Sequence, residues 1–400
     1  MRSVAGFSLT LASLFLAVVA VLIQAPALFY MGTALFVLIL GSNLQAFLAV
    51  RGLKFERFPV GSVRVGDLVT VEVNVTSEYK IRRPLVTIVD RLPAKMKNAH
   101  PTPSLPVAPA YDLPVSTMYQ FRANRRGRYR WSCLTAVGSD ALGLVVKQHR
   151  YETEPVTLTV VPRPIPVNLD LPMASGWGIS EAESGQTRGA GIEPRGIREY
   201  TFGDSLRHVH WPSTARTGKL LVKEFEAGTH AAAAFLIQRQ KGTEVQGKVL
   251  SSLDLMSGHS LFLAEIFLKQ GAKVTFPGLD DGTASGMPSE RAAEIAETLA
   301  VMTDDIDNSV ATGVLNTIPE LPMGSVVFVL LTVSDPELPS AIATAAGRGV
   351  TICPLIYDAN AMDPKFRGKN AADADYIRLL RAVGCSPILM PTNEEVVANA

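Results

Sequence analysis

The sequence predicts a multi-domain chain: a two-helix transmembrane hairpin, an antiparallel β-sandwich of immunoglobulin-like type, and an α/β domain on a mostly parallel sheet. Three observations predict it. No Asp, Glu, Lys or Arg occurs between Ser3 and Val50. Residues 58–162 carry short alternations of apolar and polar residues, the period of a half-buried strand. From about Ala231, apolar runs alternate with helical stretches, the pattern of strands covered by crossover helices. Bulk composition narrows the classes further. With 38 Lys+Arg against 37 Asp+Glu, overall charge gives no help to polyanion binding.

A bilayer core of about 30 Å takes roughly 20 apolar residues per helix, so residues 1–51 hold two spans, near Val4–Ile23 and Ala27–Leu48. Pro26 breaks the run. A cleaved signal peptide is the competing reading, because Ala25-Pro26-Ala27 resembles a cleavage site. The first run is too long for a signal core, and a second follows at once. Arg51, Lys54 and Arg57 follow the second span and the turn between spans carries no charge, so the positive-inside bias places both ends in the cytoplasm. Cys133, Cys353 and Cys385 form no disulfide framework, which agrees with a reducing compartment. The expectation is a cell-membrane anchor with cytoplasmic soluble domains.

In residues 58–162, Val63 to Val75 alternate around a Gly66-Asp67 turn, and further strands are expected in "RPLVTIVDRL", "STMYQFRA", "RYRWSCLTAVGS" and "PVTLTVVP". Pro93, Pro101, Pro103, Pro106 and Pro109 mark long connections. Arg122, Arg125, Arg126, Arg128 and Arg130 cluster around Gly127. They read either as a site for anionic lipid or nucleic acid, or, preferably, as structural ion pairs. Residues 163–192, rich in Gly, Ser and Pro, read as a flexible linker. In residues 228–400, strands are expected at 231–238, 273–279, 325–333, 350–357 and 386–391. Helices are expected around 246–270, 289–303, 336–348 and 373–384, with Asp335-Pro336 as a helix start and Gly347 as a stop.

The segment 193–227 is the most informative. From Glu193 to Glu226 it carries six Lys/Arg and five acids, interleaved with Tyr200, Phe202, His208, His210 and Trp211. Charges threaded with aromatics predict a partly buried hydrogen-bonded network in which Arg forks meet carboxylates. The candidate members are Arg198, Glu199, Tyr200, Gly203, Asp204, Arg207, His210, Trp211, Arg216, Gly218, Lys219, Lys223 and Glu224. A catalytic alternative pairs Asp204 with His210 as acid and base. Arg207 and Lys219 would then stabilise an anion, with Ser213 or Thr214 as nucleophile. No nucleophile elbow or phosphate-cradling Gly-rich loop accompanies it. His208 and His210 lack further zinc ligands.

This segment resembles the domain of unknown function 58 family of bacterial membrane-associated proteins. The matching residues are Gly196 to Tyr200, Gly203-Asp204, Arg207, His210-Trp211, Ala215 to Leu220 and Val222 to Glu226, with "RRGRYR" and "GSDALGLV" upstream. The resemblance implies a von Willebrand factor A-like α/β domain and a role in a membrane-linked complex with a MoxR-type AAA+ ATPase and other membrane proteins. It implies no established catalysis, and no cofactor is expected. Metal-binding von Willebrand A domains carry D-x-S-x-S after the first strand. This chain has Gln238-Arg239-Gln240-Lys241-Gly242 there and only Asp335 as a later acid, so no divalent metal is expected. The expected function is a non-enzymatic membrane-anchored scaffold. The alternatives are a hydrolase of phosphate or envelope substrates acting through 193–226, and nucleic-acid or anionic-lipid binding through Arg122–Arg130. Of these partners the lipid bilayer is expected and nucleic acid is not.

Overall fold

A long run without charge can satisfy its own backbone polar groups as helix, and the chain does so twice before its first strand. The computed structural model describes residues 4–58, 61–80, 83, 86–93, 103–167, 194–200, 209–225, 232–248, 250–280 and 286–392. Helix α1 (Val4–Ile23) and helix α2 (Pro26–Ala49) are long and apolar enough to cross a membrane. The break between them is Gln24, at φ 52°, followed by Pro26 at the start of α2, where its missing N–H costs nothing. The chain divides into two units, Met1–Val160 and Val161–Ala400.

The first unit adds two sheets to the hairpin. Strands β1 (Leu53–Arg57), β3 (Leu68–Ser77) and β6 (Val115–Arg122) form one, in the order β1-β3-β6. Strands β2 (Ser62–Arg64), β4 (Val86–Asp90), β5 (Ser104–Val107), β7 (Gly127–Ser139) and β8 (Val146–Val161) form the other, in the order β2-β8-β7-β4-β5. The alternation expected for Val63 to Val75 appears as β2, a turn at Gly66 (φ 94°) and β3, whose Val69, Val71, Val73 and Val75 enter a core shared with Ile88, Leu134 and Leu158. Pro106, expected in a connection, instead lies in β5, opposite Thr87. An edge strand tolerates a proline because the missing donor faces outward. Between the sheets Arg57 Nη2 meets Asp90 Oδ1 at 2.9 Å, and the Tyr119 hydroxyl donates to Asp90 Oδ2 at 2.7 Å.

No linker separates α2 from this body. The sandwich begins at Leu53 rather than at residue 58, with Leu53 pairing Ser77. Arg83 fixes the junction. Its guanidinium donates to the carbonyls of Leu48 (2.7 Å) and Ala49 (3.0 Å) at the helix C-terminus and to those of Arg51 and Gly52 (3.2 Å) just beyond it. The Tyr151 hydroxyl donates to the Val50 carbonyl at 2.7 Å. Gly138 leaves room for the passing chain, since a Cβ there would lie 2.8 Å from Val50 Cγ1.

The second unit is built on five strands: β11 (Ala232–Ile237), β12 (Lys273–Thr275), β13 (Val326–Leu331), β14 (Thr351–Ile356) and β15 (Ile388–Leu389). Every pairing is parallel, in the order β12-β11-β13-β14-β15. Parallel strands need both faces covered, and successive residues divide between two cores. Phe235 and Phe328 face one and Leu236 and Val329 the other. After the short helix α3 (Trp211–Thr217), in the signature segment 193–227, α4 (Ser252–Lys269) and α5 (Pro288–Ala300) cover the first face. Helices α6 (Val310–Thr317), α7 (Leu338–Ala346) and α9 (Ala374–Ala382) cover the second, and the single turn α8 (Ala359–Met362) follows β14.

Three expectations change here. Helix α6 falls where none was expected. Asp335 does not start α7, whose N-cap is Glu337; its Oδ2 instead accepts the Ala311 N–H of α6 at 2.9 Å. Gly347 does end α7, but with φ −63°, and the left-handed residue is Gly349 at φ 70°. The stretch expected as linker from 163 begins packed: Ile165 and Val167 lie in the first core, and the Ile165 N–H donates to the Gly258 carbonyl at 3.1 Å. The rest of that stretch, 168–192, lies outside the described residues.

Candidate functional site

The signature segment folds as a small unit around one strand. Strand β9 (Pro194–Glu199) runs antiparallel to β10 (Leu221–Phe225), with Arg198 opposite Val222, Glu199 opposite Leu221, Ile197 opposite Lys223 and Gly196 opposite Glu224. Val209 bridges Val222 as well, so β10 is the centre of a three-stranded patch whose Val209 and Val222 are buried. The Tyr200 N–H donates to the Leu220 carbonyl at 2.9 Å and the His210 N–H to the Leu221 carbonyl at 2.8 Å.

From this patch projects α3 (Trp211–Thr217). His210 is its N-cap: Nδ1 accepts the Ser213 N–H at 3.3 Å and lies 2.8 Å from Ser213 Oγ. With Nδ1 accepting, the proton of the neutral ring sits on Nε2. Pro212 pre-sets the first turn. Gly218 ends it at φ 67° and donates its N–H to the Thr214 carbonyl at 2.9 Å, a conformation that a side chain would strain. The Leu221 N–H donates to Thr214 Oγ1 at 3.1 Å, tying the helix back to β10.

The helical turn, expected within a partly buried network, has no buried residue. Trp211 is 65% exposed, and Arg216, Lys219 and Leu220 are exposed on the same turn. Gly203, Asp204, Arg207 and His208 lie outside the described residues, as do the side chains of Arg198, Glu199, Lys223 and Glu224, which are placed by strand register alone. The described candidates brought together are therefore Tyr200, His210, Trp211, Arg216, Gly218 and Lys219. The sequence reading offered Ser213 and Thr214 only as nucleophiles and missed their capping and tethering roles. The run His-Trp-Pro-Ser, with proline in a first turn, carried that signal.

Two other candidate regions take definite places. At the carboxyl ends of β11 and β13, where the strand order reverses and doubly wound sheets bind ligands, stands Gln238. Its Oε1 accepts the Thr332 and Val333 N–H groups, both at 2.9 Å, and its Nε2 donates to the Val333 carbonyl at 2.9 Å, so the amide joins the ends of the two strands. Asp335 is likewise engaged, with Oδ1 accepting the Glu337 N–H at 3.0 Å and its own N–H directed to the Tyr376 hydroxyl. Among the described residues no group of three or more His, Cys, Asp or Glu is placed to hold a metal. The Arg122–Arg130 turn opens β7, whose far end passes α2 at Gly138. Along a strand that is roughly 40 Å from the hairpin's exit.

Comparison with known proteins bears on the segment from β9 onward. Residues 196–322 match a family described as protein of unknown function DUF58. The match supports the DUF58 family and runs from β9, through the signature unit and the first strands of the parallel sheet, to just beyond α6. No curated protein matches the chain. Among solved structures, the CARDB domain of the PF1109 protein from Pyrococcus furiosus, in complex with di-metal ions, aligns over 27% of this chain and 93% of its own. Its identity is 15% and the TM-score 0.18. A likeness at that score says nothing about this chain's fold or metal content.

Proposed function

We propose that this chain is a non-enzymatic, membrane-anchored interaction protein whose exposed signature turn docks a partner protein. The observation that supports this reading is Trp211, largely exposed on a turn fixed at both ends by His210, Gly218 and the Thr214 tether. Trp and Arg dominate binding hot spots, and a turn already held in place forfeits little entropy on docking. Trp211 with Leu220 supplies the apolar contact and Arg216 with Lys219 the positive charge, which suits an acidic, apolar partner surface. The partner class suggested by the family resemblance is a MoxR-type AAA+ ATPase.

Finer structural readings belong to the same proposal: an immunoglobulin-like class for the sandwich, a von Willebrand A-like class for the α/β unit, and a cytoplasmic face for both. The strand order supports the second and Arg51 and Lys54 beyond α2 support the third. A photo-crosslinking residue at position 211 of the full-length protein in native membranes should capture an AAA+ ATPase, and Trp211→Ala should weaken that association by at least about 30-fold with melting unchanged. Equal capture from position 211 and from an exposed control, Lys365, would defeat the proposal.

A hydrolase is the second reading, favoured by the 2.8 Å contact of His210 Nδ1 with Ser213 Oγ. Ser213→Ala separates the two. Turnover lost at unchanged partner capture selects chemistry, whereas a frayed turn with weakened capture selects docking.

A further inference from the structure

We infer that the β7–β8 turn, Asp140 to Val146, is a second membrane contact, an apolar tip that dips into the lipid interface beside α2. The inference rests on reading α1 and α2 as membrane spans.

Position carries it. The Ala141 N–H donates to Gln45 Oε1 at 3.1 Å, so the tip lies level with a residue inside the second span. Gln45 is four residues before the end of α2 at Ala49, about 6 Å down the helix axis at 1.5 Å per residue. Phe47 stands two residues above Gln45, and the Arg51 guanidinium, the first cation after the span, lies 5.1 Å from its ring. The tip therefore reaches below the level at which the chain first becomes charged.

The chemistry of the tip fits that depth. Ala141-Leu142-Gly143-Leu144-Val145-Val146 has no polar side chain, Leu142 is 61% exposed, and the first cation after it is the exposed Lys147. One exposed leucine means little on a soluble surface. The backbone beneath it is more telling, because lipid offers no hydrogen bonds and tolerates a turn only when its polar groups are already engaged. Asp140, 3% exposed, turns its carboxylate inward: Oδ1 accepts the Val145 N–H at 2.7 Å and Oδ2 the Leu142 N–H at 3.2 Å. The Gly143 N–H donates to the Asp140 carbonyl at 3.1 Å and the Asp140 N–H to the Val145 carbonyl at 3.2 Å. Gly143 takes φ 71°, the left-handed conformation that closes so tight a loop. The charge is spent on the loop's own N–H groups, and hydrocarbon is left outward.

The test places nitroxide labels on the full-length protein in vesicles of phosphatidylcholine and phosphatidylglycerol, with Cys133→Ser to remove the accessible native thiol. Three single variants are compared by relaxation with oxygen, which concentrates in the bilayer, and with an aqueous nickel chelate: Leu44→Cys on α2, Leu142→Cys at the tip and Gln120→Cys on the far end of β6. All three native side chains are exposed, so the labels spare the packing. Sites 44 and 142 should respond to oxygen and site 120 to nickel. A nickel response at 142 with oxygen at 44 puts the tip in water and overturns the inference while the spans stand. Shielding of 142 from both reagents makes the occupant a protein and overturns it too. A nickel response at 44 removes the spans and the inference together.

Discussion

In the sandwich, Arg57 and Asp90 meet with side chains 1% and 0% exposed, an ion pair in the dry space between two sheets. The deepest polar pair of the α/β unit is His259 Nδ1 against the Tyr357 hydroxyl at 2.8 Å, and burial lowers the His259 pKa to about 4, so it is neutral at physiological pH. The contrast extends to the chain entering each unit. Arg83 and Tyr151 seal the entry from α2 with hydrogen bonds to carbonyls. Ile165 enters the α/β unit as hydrocarbon over Gly258. A small sandwich has little core to spare and joins its sheets through a few charged groups of fixed geometry. The parallel sheet, covered on both faces, holds itself mainly by apolar area, and its one fully buried side-chain pair among the described residues is uncharged; the Arg291–Asp280 ion pair keeps 9% and 16% of its side chains exposed. The first design concentrates its vulnerability in single residues, and the second spreads it.

The sharpest way to break that comparison is Arg57→Ala. It leaves Asp90 buried without its cation and should lower the unfolding free energy of the sandwich by about 3–5 kcal/mol, read from Trp131 fluorescence of the full-length protein in detergent. Arg57→Met with Asp90→Leu removes both charges and should recover most of the loss. A single variant within about 1 kcal/mol of the parent would show that the pair is not the joint proposed.

Acid provides the next test, because the buried groups of the two units respond with opposite sign. The unfolded His259 takes a proton near pH 6.5 while the folded one resists until about 4. Its contribution is therefore complete above 6.5 and lost as pH falls through that window, roughly 3 kcal/mol in all. Burial pushes the Asp90 carboxyl up, against the pull of Arg57 and Tyr119. A raised folded value makes its contribution largest at low pH and lost as pH rises through it, so acid takes nothing comparable from the sandwich. Acidification should unfold the α/β unit first, and His259→Asn should flatten that dependence. Simultaneous unfolding of both units would remove the distinction.

Where local pattern decides the structure, the sequence was readable. A long charge-free stretch broken by Pro26 reads as two helices, and the alternation of Val69 to Val75 or the run Val326 to Leu331 reads as strand from its own residues. Partners distant in sequence were not readable. Helix α6, "VATGVLNT", has β-branched residues and Gly313 and reads as a poor helix. It forms because Val310, Ala311 and Val314 bury against the sheet and Asp335, 24 positions later, caps Ala311. The Arg57–Asp90 joint spans 33 positions and had no local sign. In the signature turn only part of the expected network is described: Trp211 is exposed on α3, while Gly203, Asp204 and Arg207 lie outside the described residues.

The smallest predicted effect concerns the seat of Ile165. A methyl group at Gly258 would lie 2.5 Å from Ile165 Cδ1 and 2.9 Å from the Arg163 carbonyl oxygen. Rotating the terminal carbon of Ile165 still leaves its Cγ1 at 2.6 Å, and the carbonyl belongs to backbone held by the Ile165 to Gly258 hydrogen bond, so the entering chain must shift. Overpacking of this kind costs about 1–3 kcal/mol, while replacing a mid-helix glycine by alanine returns up to about 1. Gly258→Ala should thus destabilise the α/β unit by about 1–2 kcal/mol, with urea unfolding as the measurement and the sandwich transition unmoved. An unchanged or raised midpoint would mean that Ile165 yields freely and that the apolar entry is looser than its packing suggests. The contrast with the hydrogen-bonded entry at Arg83 would then be one of rigidity as well as of chemistry.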